Sequence, residues 1–179
     1  MLKKALKGYL ERYFKMWKKV TGSFPKVIYE EEGFSSLCIG EEDEDGYIEW
    51  NYRPADTLID FSKIEKKHSV VLPQEIKEYY NAYRFHQFAG IFENETIVFA
   101  PIENTEDAIF ELDGWIENVS RELIIIGHGK WDVPVCVKVH TGEVVIWKPR
   151  IGQELLLADS LSGLFSRLTV DEILIESMY

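Results

Sequence analysis

The first twenty residues, "MLKKALKGYLERYFKMWKKV", restrict the fold more than any other stretch. Leu2, Ala5, Leu6, Tyr9, Leu10, Tyr13, Phe14 and Trp17 recur at the three- and four-residue spacing that stacks side chains on one face of a helix. Lys3, Lys4, Lys7, Arg12, Lys15, Lys18 and Lys19 occupy the other face. The spacing predicts an amphipathic helix over residues 2–20 whose aromatic stripe packs on a core. A basic amphipathic helix can also lie on a membrane surface or bind a partner. Core packing with a solvated basic back is the more frequent use of such a pattern.

The stretch "TGSFPKVIYEEEG" after it reads as a turn and linker. "SSLCIG" and "GYIEWNY" read as two short strands joined by a charged loop. Asp60 can cap a short helix at "FSKIEKKHS". Pro73 suits the first turn of a helix in "VVLPQEIKEYYNAYRF", with Ile76, Tyr79, Tyr80 and Tyr83 along one face. Gly90 in "FAG" is expected to stop that unit. "TIVFAPI" is a strand, and Asn104, with Asp107 three residues on, caps a helix over 104–119. "LIIIGHG" is a buried strand, and "VPVCVKVHTGEVVIW" is a hairpin around Thr141-Gly142. "LLLADSLSGLFSRL" reads as a C-terminal helix and "TVDEILIESMY" as one more short turn of helix. Strands and helices without a βαβ rhythm predict an α+β fold, in a single domain over residues 1–179. Phe14, Trp17, Tyr80, Phe88, Val137 and Val145 are expected in the core, and residues 41–45 in an exposed loop.

The formal charge of −11 argues against nucleic-acid binding, which needs cations to displace counterions from phosphates. It permits a basic protein partner and steering toward it. Cys38 and Cys136 make no disulfide framework and read as reduced core thiols of a cytosolic protein. No signal peptide is recognisable, and no segment reaches the ~18 apolar residues of a membrane span. The expected location is cytoplasmic, with association at the inner membrane only through a membrane protein.

The acid run Glu41-Glu42-Asp43-Glu44-Asp45 imitates half of an EF-hand, but the twelfth position, which needs a bidentate Glu, is Tyr52. His68, His86, His128 and His140 show no ligand spacing, and neither cysteine lies in a CxxC pair. Cys136 and His140, four apart on one strand, are over ~13 Å apart by the strand rise. No catalytic residue, metal site or cofactor is therefore assigned. The acids themselves are segregated: nine lie between Glu30 and Glu49 with no Lys or Arg, and nine between Glu93 and Glu122 beside Arg121 alone. A solvated face is the usual explanation. Two runs of this density point to a recognition surface, assigned to Glu41, Glu42, Asp43, Glu44, Asp45, Glu49, Glu93, Glu95, Glu103, Glu106, Asp107 and Glu111.

The ordered set "YFKMW", "SLCI", "IEWNYRP", "DFSKIEKKHSVVLPQEIKEYY", "QFAG" and "HTGEVVIWKPRIGQELLLADSLSGLFSRL" resembles the Syd family of SecY-interacting proteins, within the SUKH superfamily. The resemblance spans nearly the whole chain. It implies an α+β fold with helices packed on a mixed sheet, no enzymatic activity, and protein binding through an acidic concave face. Syd-type members dock on basic cytoplasmic loops of SecY, and other SUKH members are immunity proteins that neutralise toxin domains. Ile91-Phe92 and the almost purely acidic helix 104–119 depart from Syd where partner identity is written. Three readings follow: an immunity-type inhibitor covering a basic toxin domain, a Syd-type factor at SecY, and, distantly, an unrecognised enzyme.

Overall fold

The computed structural model describes residues 1–28, 35–118, 122–148 and 150–178, the side chains at 117 and 118 excepted. Glu30, Glu31 and Glu32 of the first acidic run, and the side chain of Glu117 in the second, thus lie outside the described residues.

The N-terminal stripe forms helix α1 (Leu2–Thr21), which buries Leu2, Leu6, Tyr9, Leu10, Tyr13, Phe14 and Trp17. Gly22 ends it: at φ 80 its N–H reaches back to the Lys18 carbonyl at 3.1 Å. Three short strands follow, β1 (Lys26–Ile28), β2 (Cys38–Ile39) and β3 (Tyr47–Trp50), in the order β1-β3-β2. β1 lies in the stretch read as a linker, and its register, Val27 opposite Ile48, is set from outside that stretch by β3.

Strand β4 (Arg53–Pro54) precedes helices α2 (Ser62–His68) and α3 (Gln74–Ala82) and pairs with β5 (Tyr83–Arg84). The main sheet contains β6 (Phe88–Phe92), β7 (Glu95–Phe99), β8 (Leu123–His128), β9 (Pro134–Lys138), β10 (Val144–Lys148) and β11 (Gln153–Ala158), ordered β11-β10-β9-β8-β7-β6. Helix α4 (Thr105–Asn118) connects β7 to β8, and α5 (Leu161–Arg167) and α6 (Glu172–Met178) close the chain. The α+β class is as expected. The resemblance implied a mixed sheet, whereas every pairing among the described strands is antiparallel.

One face of this sheet packs on α1, α3 and α5 through an aromatic column. Phe88 stacks on Phe99 at 4.8 Å, Phe99 meets Phe165 at 5.1 Å, and Tyr79 stacks on Phe165 at 5.8 Å. Phe14, Trp17, Tyr80, Phe88, Val137 and Val145 are all buried. Fully burying such side chains stabilises a fold by roughly 1.5–3 kcal/mol each. The opposite face carries a smaller cluster of Leu123, Ile125, Cys136 and Val145, against which Trp115 of α4 and Trp147 pack.

Three local readings are corrected. Tyr83 is not on the face of α3; it is extended, at φ −143 and ψ 159, because the chain leaves the helix to pair with Pro54. Gly90 does not stop a helix but lies inside β6, where a Cβ would stand 2.6 Å from the Tyr9 hydroxyl. Residues 153–158 are a strand, with Leu155 opposite Ile146. Their helix begins only after Ser160, whose side chain accepts the Gly163 N–H at 3.1 Å as an N-cap. Among the described residues no helix is long and apolar enough to cross a membrane.

Candidate partner-binding site

The acid loop is framed by Gly40 and Gly46, both at positive φ, and organised by Asp43. Its Oδ1 accepts the N–H groups of Asp45 and Tyr47 at 3.0 and 2.9 Å, while Oδ2 meets Lys26 Nζ at 2.6 Å. The Lys26 bond, with the two backbone donors, holds the Asp43 carboxyl below its ordinary range. Glu41, Glu42, Glu44 and Asp45 point into solvent, and Asp43 alone turns inward. Glu49, half-buried on β3, accepts the Phe24 N–H at 3.3 Å.

A second group surrounds the start of α4. Asn104 Oδ1 accepts the Asp107 N–H at 2.9 Å, and its amide donates back to the Asp107 carboxylate, a reciprocal cap. Glu106 and Asp107 lie in the first turn, where the helix dipole favours negative charge. Glu111 lies one turn further along, where that benefit has faded. Burial, then the charges of Asp107 and Glu103, hold its carboxyl above the ordinary range. Beside it Phe110 is 80% exposed. Asp113 is neutralised instead, taking Lys67 Nζ at 2.6 Å and His68 Nε2 at 2.7 Å.

Glu103 is reached by an unforeseen network. His86 Nδ1 meets Glu103 Oε1 at 2.9 Å, and His86 Nε2 lies 3.9 Å from Cys38 Sγ, 48 positions away in the chain. Burial acts to raise the Glu103 carboxyl, but the His86 bond and charge, with Ser35, bring it below its ordinary range. The order thiol, imidazole, carboxylate is that of an activated nucleophile. Here burial and the Glu103 charge push the Cys38 thiol up, away from the thiolate that such chemistry uses. The arrangement instead ties β2, which leads into the acid loop, to the approach to α4. No spacing rule links residues 38, 86 and 103, so only the fold brings them together.

Arg84 is a second anchor that the sequence did not signal. Fully buried, it donates to the carbonyls of Tyr80 and Thr57, each at 2.8 Å, and to Thr105 Oγ1 at 2.9 Å. It fastens the end of α3 to the first residue of α4. The remaining acids stand apart. Glu93, at φ 58 in the β6–β7 turn, pairs with Arg167 at 2.8 Å, and Glu95 lies beside that turn at the opposite end of β7 from Glu103.

Among the described residues no group of three or more His, Cys, Asp or Glu side chains is arranged to hold a metal ion. The model of the family described as Syd protein (SUKH-2) matches residues 3–112, a span that takes in α1, both acid groups and the first half of α4. No curated protein sequence matches the chain.

Proposed function

The chain belongs to the Syd family, SUKH-2, and on that premise we propose that it is a non-catalytic protein-binding module that engages a basic protein through the carboxylates around the start of α4. Family membership supports the protein-binding class. The observation that carries the surface is Glu111, whose carboxyl is raised by partial desolvation and then by the charges of Asp107 and Glu103, next to the exposed ring of Phe110. A surface needing only solubility would mix its charges. A cation from a partner relieves the repulsion, and an exposed aromatic supplies the apolar anchor that interfaces concentrate energy on. The acid loop at 41–45 then serves to steer the encounter.

The partner proposed is a toxin domain with a phosphate-attracting basic surface, which this chain would cover and neutralise as an immunity protein in the cytoplasm. A second reading, which family membership accommodates equally, is docking on basic cytoplasmic loops of SecY. Calorimetric titration with a basic nuclease toxin domain and with SecY cytoplasmic-loop peptides separates the two: the toxin domain is expected to bind at nanomolar concentration. Binding confined to SecY loop peptides would establish the second reading. Unchanged affinity in the combined variant Glu103→Gln, Asp107→Asn, Glu111→Gln would remove this surface from both.

A further inference from the structure

The turn between β8 and β9 presents a surface of different character, remote from the acid cluster in its chemistry. Trp131 is 86% exposed, whereas Trp17 and Trp50 are buried. Its backbone is left-handed, at φ 63 and ψ 33, and Asp132 follows at φ 54. Neither is glycine, so two successive residues hold a conformation that their Cβ atoms disfavour. That strained turn brings the indole to a cleft of about 590 Å³ that Asp132, Val133, Pro134, Lys148, Arg150 and Ile151 also line. Ile151 is 68% exposed.

Charge differs here as well. Lys130 Nζ lies 5.6 Å from the indole centroid, and Lys148 and Arg150 are exposed without a carboxylate partner among the described residues. Three cations thus outnumber Asp132 and Glu95 at this end of a chain whose net charge is −11. Next to the cleft, β11 is the terminal strand of the sheet. Its Leu155, half-exposed, lines a smaller adjoining cleft with Trp131 and Lys148. A free strand edge offers unpaired backbone groups to an extended chain.

We propose that this cleft docks an extended, acidic and aliphatic peptide segment of a partner protein. One apolar side chain sits beside Trp131 and Ile151, flanking carboxylates meet Lys148 and Arg150, and the peptide backbone adds to the edge of β11. A partner of this chemistry is the converse of the basic one assigned to α4, so the two surfaces do not select the same ligand.

The test is fluorescence anisotropy with two labelled decapeptides, one alternating Glu and Leu, the other alternating Lys and Leu. The acidic peptide is expected to bind and to weaken with salt, since exposed charges are screened beyond about 8 Å at physiological ionic strength. Trp131→Ala, and the pair Lys148→Ser with Arg150→Ser, should each weaken it by about tenfold or more, as for central anchors of an interface. Trp131→Gly should lose binding and yet raise the Tm, because glycine adopts the left-handed turn freely. Equal binding of the basic peptide would overturn the proposal, as would full affinity in Trp131→Ala. A Tm lowered by Trp131→Gly would assign Trp131 a structural role instead. Trp131-dependent self-association seen by sedimentation, without peptide binding, would make a second copy the occupant and also overturn it.

Discussion

Tyr9 donates its phenolic hydroxyl to the carbonyl of Ala89 at 2.5 Å, across 80 positions of sequence, and its ring fills the space that a side chain at position 90 would need. A Cβ on Gly90 would meet the Tyr9 oxygen at 2.6 Å and Leu168 Cδ2 at 2.9 Å. The glycine is a notch in β6 that lets α1 lie against the sheet.

Gly90→Ala is therefore expected to destabilise the protein by about 1–3 kcal/mol through overpacking. Tyr9→Phe should cost about 1–2 kcal/mol, because the buried Ala89 carbonyl loses its donor. Urea unfolding measures both. In the double variant the two costs should not add, since they act on one contact.

Arg84 carries a larger share of the architecture beneath α4. Charge-assisted bonds contribute about 1.5–3 kcal/mol each, so Arg84→Met, which leaves the carbonyls of Tyr80 and Thr57 without this donor, should lower stability by at least about 3 kcal/mol. Hydrogen exchange should show the first turn of α4 opening preferentially. Uniform protection across α4 in that variant would contradict the anchoring role.

Much of the fold could be read from local pattern. The stripe of α1, the Asn104 cap and the hairpin at Thr141-Gly142 are short-range signals, and each element formed where its residues predicted. Errors arose where a distant partner decides. "VVLPQEIKEYYNAYRF" continues a helical pattern through Tyr83, and only the pairing with β4 makes that residue extended. "LLLA" suits helix or strand alike, and β10 decides for strand. The acids were visible as composition, but their grouping was not. Asp43 is neutralised by Lys26 from β1, Asp113 by α2, and Glu93 by α5. The repulsion that Asp107 and Glu103 exert on Glu111 therefore emerges only after folding.

Glu111 gives that repulsion a measurable sign. Burial and its acidic neighbours raise its carboxyl in the folded state, so its favourable contribution exists only while it is protonated and is lost as pH rises through the folded value. At pH 7 the ionised group opposes folding. Glu111→Gln should raise stability by roughly 0.5 kcal/mol once solvent screening is allowed for, a Tm increase of about 1–2 °C. The same variant should bind the basic partner more weakly.

The loop at 41–45 should separate steering from structure. Replacing Glu41, Glu42, Glu44 and Asp45 by Ser or Asn is expected to slow association with a basic partner and flatten its salt dependence, with folding intact. Asp43→Asn should loosen the turn itself, because it weakens the bond to Lys26. Stopped-flow kinetics at low and high salt distinguish the two. Equal rates and slopes in the four-residue variant would mean a purely solvated turn.

Acid should attack the opposite class of carboxylates. The bonds from Lys67 and His68 lower Asp113, and the His86 bond outweighs burial to lower Glu103. Groups depressed in the folded state contribute fully above their unfolded values, about 4, and lose that contribution as pH falls through the folded ones. Urea midpoints measured from pH 6 to pH 3 should fall, and Asp113→Asn should flatten that fall while lowering the midpoint at pH 6.

The seating of α1 also bears on the order in which the chain is made. This helix is made before every element it packs against: Phe14 waits for Trp50 and Tyr52, Tyr9 and Tyr13 for Phe88, and the rest of the stripe for α5 and α6, past residue 160. Contacts of such sequence separation form late and slowly. Until those partners emerge α1 is a basic amphipathic segment with Tyr9, Tyr13, Phe14 and Trp17 uncovered, the kind of surface that nascent-chain chaperones and anionic lipids both capture. The helix that closes the finished core is thus the nascent chain's most adhesive part.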